Sequence, residues 1–311
     1  MLRKYLLLCV LCACAVYVLP VSAFAEVRPP FAGEVQSRMD LVKELQDYEL
    51  RLGFAPTNNF KIYQEDLPMY SLCFFAEKFS LEVTYAGGSD CVSDEERYDV
   101  NKYSVEAQAG IKTPLTRDLV NASPARFIMV VFHEDFHEQM IGVPTWAINE
   151  SAATLLGLLS AREYAFQKHG AASVISREFD ADIAHYLEVA RIEEEHAVAL
   201  HTIYGGMARG ELTKEQGLEA KEKLFAEMRE SCKTIFLQTM AGCGLLKNNA
   251  DFGVAFKYAQ HYRLFYALHQ ACGEEVQRTG RVLSSLAHEQ LTEETYLDRV
   301  NKIIAKELTC R

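Results

Sequence analysis

The chain has 311 residues, with 32 basic and 43 acidic side chains, a formal net charge of −11 and 49% apolar residues. That acidic balance argues against nucleic acid and anionic membrane surfaces as partners, and the apolar content excludes a disordered chain. The length admits one large domain or two modest ones.

Residues 1–25 read as a targeting segment. Arg3 and Lys4 form a basic start, Tyr5 to Leu19 an apolar run, and Ala23-Phe24-Ala25 a small-x-small cleavage pattern before Glu26. Loss of Arg3 and Lys4 with this segment takes the formal net charge from −11 to −13. Leu11-Cys12-Ala13-Cys14 is a poor match to a lipoprotein processing site, and acylation at Cys14 would anchor an otherwise exported chain to the membrane. The expected product, residues 26–311, is a single domain in the periplasm or cell envelope, lipid-anchored if Cys14 is acylated. Its six cysteines, Cys73, Cys91, Cys232, Cys243, Cys272 and Cys310, favour disulfides in an exported chain, with Cys73–Cys91 the first pairing expected because it brackets a strand pair.

Residues 34–52 have the spacing of an amphipathic helix, through Val35, Met39, Val42, Leu45 and Tyr48. Tyr70 to Tyr85 reads as a strand ended by Gly87-Gly88-Ser89, and Val105 to Thr113 as a second strand. Either could pair with an extended substrate. Ser123 and Pro124 start a helix that Gly142 and Pro144 stop, predicting residues 124–141. Its apolar residues fall on nearly every side, which marks a central helix. Helices are then predicted over 150–168, 178–204, one or two within 212–240, and 275–286 and 292–308, with a Gly/Asn-rich interruption at 241–251. Glu193-Glu194-Glu195-His196 reads as a solvated charged face rather than a second metal site.

The central helix carries Val131-Phe132-His133-Glu134-Asp135-Phe136-His137-Glu138. Histidines four apart share one helix face, so both rings can reach one ion. Glu134 follows the first, where a carboxylate can take a proton from metal-bound water. A catalytic zinc needs a third protein ligand and one open position. The short turn from Gly142 to Thr145 folds the next helix back, which makes Glu150 the candidate. The longer pattern with a third histidine fails, because Met140 and Val143 stand at its glycine and histidine positions.

The run from Phe132 to Gly157, FHEDFHEQMIGVPTWAINESAATLLG, resembles the bacterial putative aminopeptidase family, whose signature combines an HExxH helix with a downstream NES glutamate. Lys247-Asn248-Asn249-Ala250 and the segment Tyr258 to Phe265 are similar to that family's NNA motif and the aromatic helix after it, and Tyr98 through Leu115 to its extended segment before the metal helix. Asp135 and Phe136 replace the usual Leu-Ala between the histidines, Ala153 replaces a phenylalanine, and Gln108-Ala109-Gly110 stands at a tyrosine-rich strand. The resemblance implies a gluzincin-like zinc aminopeptidase acting on peptides, with His133, His137 and Glu150 as ligands and Glu134 as general base. Tyr258 is the best-aligned donor to the oxyanion, with His261 and Tyr262 behind it. The expected fold is mainly α (α+β), a zincin-like helical domain with a small β-sheet around a buried HExxH helix. A zinc endopeptidase on the same site, and a non-catalytic envelope protein with a structural metal, are the alternatives.

Overall fold

The computed structural model describes residues 30–87, 91, 94–108, 112–240 and 242–310. The expected targeting segment with Cys14, and most of the turn after Gly87, lie outside them. The fold is mainly helical with a small sheet, as expected. In chain order the elements are α1 (Ala32–Arg51), β1 (Tyr63–Gln64), β2 (Tyr70–Glu77), β3 (Val83–Gly87), β4 (Tyr98–Val105), β5 (Leu115–Thr116), α2 (Arg117–Asn121), α3 (Pro124–Gln139) and α4 (Trp146–His169). There follow α5 (Val174–Ala208), α6 (Lys214–Cys232), α7 (Asn249–Ala259), α8 (Tyr262–Ala271), α9 (Val276–His288) and α10 (Glu293–Ile304). No helix among the described residues is long and apolar enough to cross a membrane.

Helix α3 is the axis of the core. Ser123 accepts a hydrogen bond from the Arg126 amide, and Pro124 fills a position whose N–H would be unpaired in any case. From Phe127 to His137 every residue is buried, and each of Phe127, Val131, Phe132 and Phe136 contributes roughly 1.5–3 kcal/mol by leaving water. The chain reverses at Gly142, whose φ of +103° suits a residue without a Cβ. Thr145 then caps α4 through the Ile148 amide. The helix therefore begins four residues before Glu150, one turn earlier than the sequence suggested. Gly157 lets α4 lie close against α3: a Cβ there would come within 3.2 Å of the His133 backbone.

Two strand expectations are corrected. Residues 70–85 form not one strand but the hairpin β2–β3, broken at 78–82, where no glycine or proline signals the turn. The segment 105–113 leaves the sheet after Val105; of it, residues 109–111 lie outside the described set. The three-stranded sheet has the order β3-β2-β4, antiparallel throughout, with β4 paired from Tyr70↔Val105 to Glu77↔Tyr98, and β1 pairs in parallel with β5. That leaves β4 with one edge not used by the sheet. Leu72 and Phe74 pack on Val254 of α7, with Trp146 and Tyr258 against them.

The aromatic segment after Asn248 is two helices rather than one. Ser151 of α4 donates its hydroxyl to the Lys257 carbonyl (3.0 Å) and accepts the His261 amide (3.1 Å), which fixes the break between α7 and α8. Disulfides join Cys73 to Cys91 as expected, Cys232 to Cys243, and Cys272 to Cys310. Closing loops of such lengths stabilises the fold by about 3–4 kcal/mol each in the chain-entropy picture.

Candidate metal centre

His133 and His137 leave α3 one turn apart, and Glu150 reaches them from the first turns of α4. The two Nε2 atoms are 3.1 Å apart, and Glu150 Oε2 is 3.4 Å from each. Bonds of about 2.0–2.1 Å to one ion at near-tetrahedral angles put ligand atoms roughly 3.3 Å apart, so the triangle has the size a zinc ion requires. Despite its closeness to both rings, Glu150 Oε2 has no hydrogen bond of acceptable geometry. All three side chains are buried. The two nitrogens, in hydrogen-bond contact with each other, and this unpartnered oxygen converge on a common point. An N2O donor set of this kind suits zinc.

Neighbouring groups fix the orientation of two of the three. Asn149 Oδ1 accepts the Nδ1–H of His137, which makes Nε2 the ring nitrogen turned toward Glu150 and available to a metal. Trp146 Nε1 donates to Glu150 Oε1 at 2.7 Å and holds Oε2 toward the histidines. The indole is held in turn by stacking on Phe74, at 5.4 Å and 14°. Neither Trp146 nor Asn149 was singled out from the sequence, although the i to i+4 spacing of Trp146 and Glu150 puts them on one helix face.

Burial disfavours the His137 imidazolium, yet Glu150, Glu134 and the Asn149 hydrogen bond outweigh it and lift the ring to about 9 in the absence of a metal. Burial raises Glu150 as well, but the two histidines more than offset this and hold it well below the usual carboxylate range. Burial pushes the Glu134 carboxyl up, with the histidines opposing. Its Oε2 is buried without a partner.

A family model described as putative aminopeptidase matches residues 93–297 of the chain. The chain belongs to that family. No curated protein and no solved structure matches it. The matched span includes α3, α4 and α7, so every residue of the centre lies within the family's region. A peptidase-like function follows from membership.

The centre opens into a cavity of about 870 Å³ between the sheet, α3, α5 and α7. Residues Asn101 to Val105 of β4 line it, together with Leu72, Phe74, Val83 and Tyr85 of the 70–85 segment and Glu106 to Gln108 just beyond β4, so both expected segments reach the cavity and β4 joins them. Of the three candidate oxyanion donors, Tyr258 lines the cavity, and its ring stacks on His133 at 6.0 Å and 15°. Burial and the carboxylates Glu150 and Glu134 raise its hydroxyl well above the usual tyrosine range, so it stays an O–H donor at neutral pH. His261 instead faces Glu293 at 3.3 Å, and Tyr262 packs edge-on to Tyr186. Neither lines the cavity.

The charged run at 193–196 departs from its reading as a solvated face. Glu194 pairs with Arg263 and Glu195 with Arg191, both at 2.6 Å, but Glu193 is only 2% exposed and lines the cavity. Its position could have been found by helical phase, since Tyr186, Val189 and Glu193 lie three and then four residues apart on one face of α5.

Proposed function

We propose that the chain is an exported zinc metallopeptidase that removes N-terminal residues from peptides. The observation that carries the metal is the convergence of His133 Nε2, His137 Nε2 and the unpartnered Glu150 Oε2, with Glu134 beside them. When bound, zinc supplies a Lewis acid that polarises a peptide carbonyl and acidifies water. Glu134, raised by burial, takes a proton from the attacking water and delivers it to the leaving amine. Tyr258 donates its hydroxyl to the oxyanion that forms on the carbonyl. Asn149 and Trp146 keep His137 and Glu150 aimed, and the free edge of β4 offers main-chain groups to an extended peptide. Export to the periplasm or cell envelope is supported by the leader expected over residues 1–25 and by three disulfides, which persist in oxidising compartments.

The test is Glu134→Gln in the zinc-loaded protein. Hydrolysis of unblocked peptides should fall by at least about a thousandfold while bound zinc is retained. An active Glu134→Gln protein would sink the mechanism.

A further inference from the structure

Five acidic side chains line the cavity: Glu106, Glu134, Glu150, Glu193 and Asp251. Four have an assignment. Glu106 holds Arg126 through both oxygens, at 3.3 and 2.8 Å, and Asp251 accepts the Lys247 amide at 3.0 Å. Glu134 and Glu150 belong to the metal centre. Glu193 has no hydrogen bond or ion pair with any described residue, and its Oε2 is fully enclosed without a partner. Burial alone drives its carboxyl up to about 8, with no cation opposing. A buried acid in that condition is costly to keep unless a ligand completes it.

We propose that Glu193 binds the free α-ammonium group of the substrate and thereby makes this enzyme an exopeptidase. The inference rests on the peptidase reading above and specifies its substrate class. Glu193 and Glu150 both act electrostatically on the Tyr186 hydroxyl, so the carboxylate proposed to bind the ammonium and the one proposed to bind the metal are both near that one side chain of the cavity wall. An N-terminal residue is short, and its ammonium must sit within one residue's reach of the carbonyl that is attacked. The carboxylate that fixes it has to share the cavity with the metal centre, on a rigid element, and free of any cation of the protein's own. Among the described acidic residues lining the cavity, Glu193 alone meets these conditions while having neither a hydrogen bond to the protein nor a part in the proposed metal chemistry. A paired Glu193 would reject ammonium; an unpaired one is completed by it, and a blocked N-terminus leaves it buried without a partner. Apolar residues of the cavity wall such as Val189, Val254 and Leu72 favour an apolar first side chain.

The experiment compares leucyl-leucyl-alanine with its N-acetyl form, by calorimetric binding to the metal-free protein and by hydrolysis with the zinc-loaded protein. Wild type is expected to bind the free peptide at least about tenfold more tightly, and Glu193→Gln, of equal size but neutral, to bind both alike. Equal binding of both peptides by wild type, no measurable binding of either, or retained discrimination in Glu193→Gln overturns the proposal. Zinc content and unfolding midpoints show that the variant is folded. Discrimination in binding without hydrolysis of either peptide would support the ammonium site and refute the peptidase reading alone, so the two failures are separable.

Discussion

Two buried clusters of charge differ in how completely the protein itself satisfies them. At Asp99, one carboxylate oxygen meets Lys78 at 2.9 Å, while the other meets Lys221 at 2.5 Å and the Asn249 amide at 3.0 Å. Burial raises this carboxyl, but the two lysines and the amide more than offset it, so it is held below its usual range. Around His133, His137 and Glu150 the opposite holds. Four buried carboxylate oxygens lack a hydrogen-bond partner among the described residues, and three of them, on Glu134, Glu150 and Glu193, line the one cavity; the fourth, on Asp118, has Arg117 3.6 Å away. A closed cluster fastens β4 to α6 and α7. An open one, built at comparable burial, is where a ligand belongs.

Substitution separates the two most sharply. Lys221→Met should destabilise the protein by about 3–5 kcal/mol, because it strips a partner from a buried carboxylate, while zinc content and peptide turnover per folded molecule stay unchanged. Glu193→Gln should cost no stability, since it removes a buried carboxyl that nothing offsets. Paired urea titrations of both variants check this, and equal losses would erase the distinction.

The clusters also respond to pH with opposite sign. The Asp99 carboxyl is depressed, so its stabilisation is present above the unfolded value of 3.8 and is lost as pH falls through the folded one. In the metal-free protein, His137 is raised from 6.5 to about 9. Its contribution is full below pH 6.5 and lost as pH rises through about 9, up to roughly 3 kcal/mol in all. Glu193, raised to about 8, adds to the same decline. Zinc should remove the His137 part, since a ligating ring nitrogen holds no proton. Unfolding free energies between pH 6 and 9.5, with and without zinc, should therefore diverge as pH rises; parallel curves would contradict the assignment of His137.

The parts of the site legible in the sequence were those fixed by local geometry. Histidines four apart share a face of any helix, Ser123 and Pro124 mark where that helix begins, and the turn at Gly142 leaves Glu150 little choice but to return to it. The fold class and the Cys73–Cys91 bridge were equally accessible. What escaped depended on contacts distant in sequence. The α7–α8 break follows a hydroxyl on α4, against an aromatic pattern that continues through it. The β2–β3 turn has no residue that demands it. Glu193 was hidden by its neighbours: in a run of acidic residues, only the rotation of α5 against the cavity decides which one is buried.

The measurement that tests the central claim most directly is zinc per chain in purified residues 26–311 beside His137→Ala. About one equivalent in the parent and none in the variant is the expected result. No zinc in either, at neutral pH with zinc supplied, would contradict the account, and would leave His133, His137 and Glu150 as a buried polar cluster without a metal.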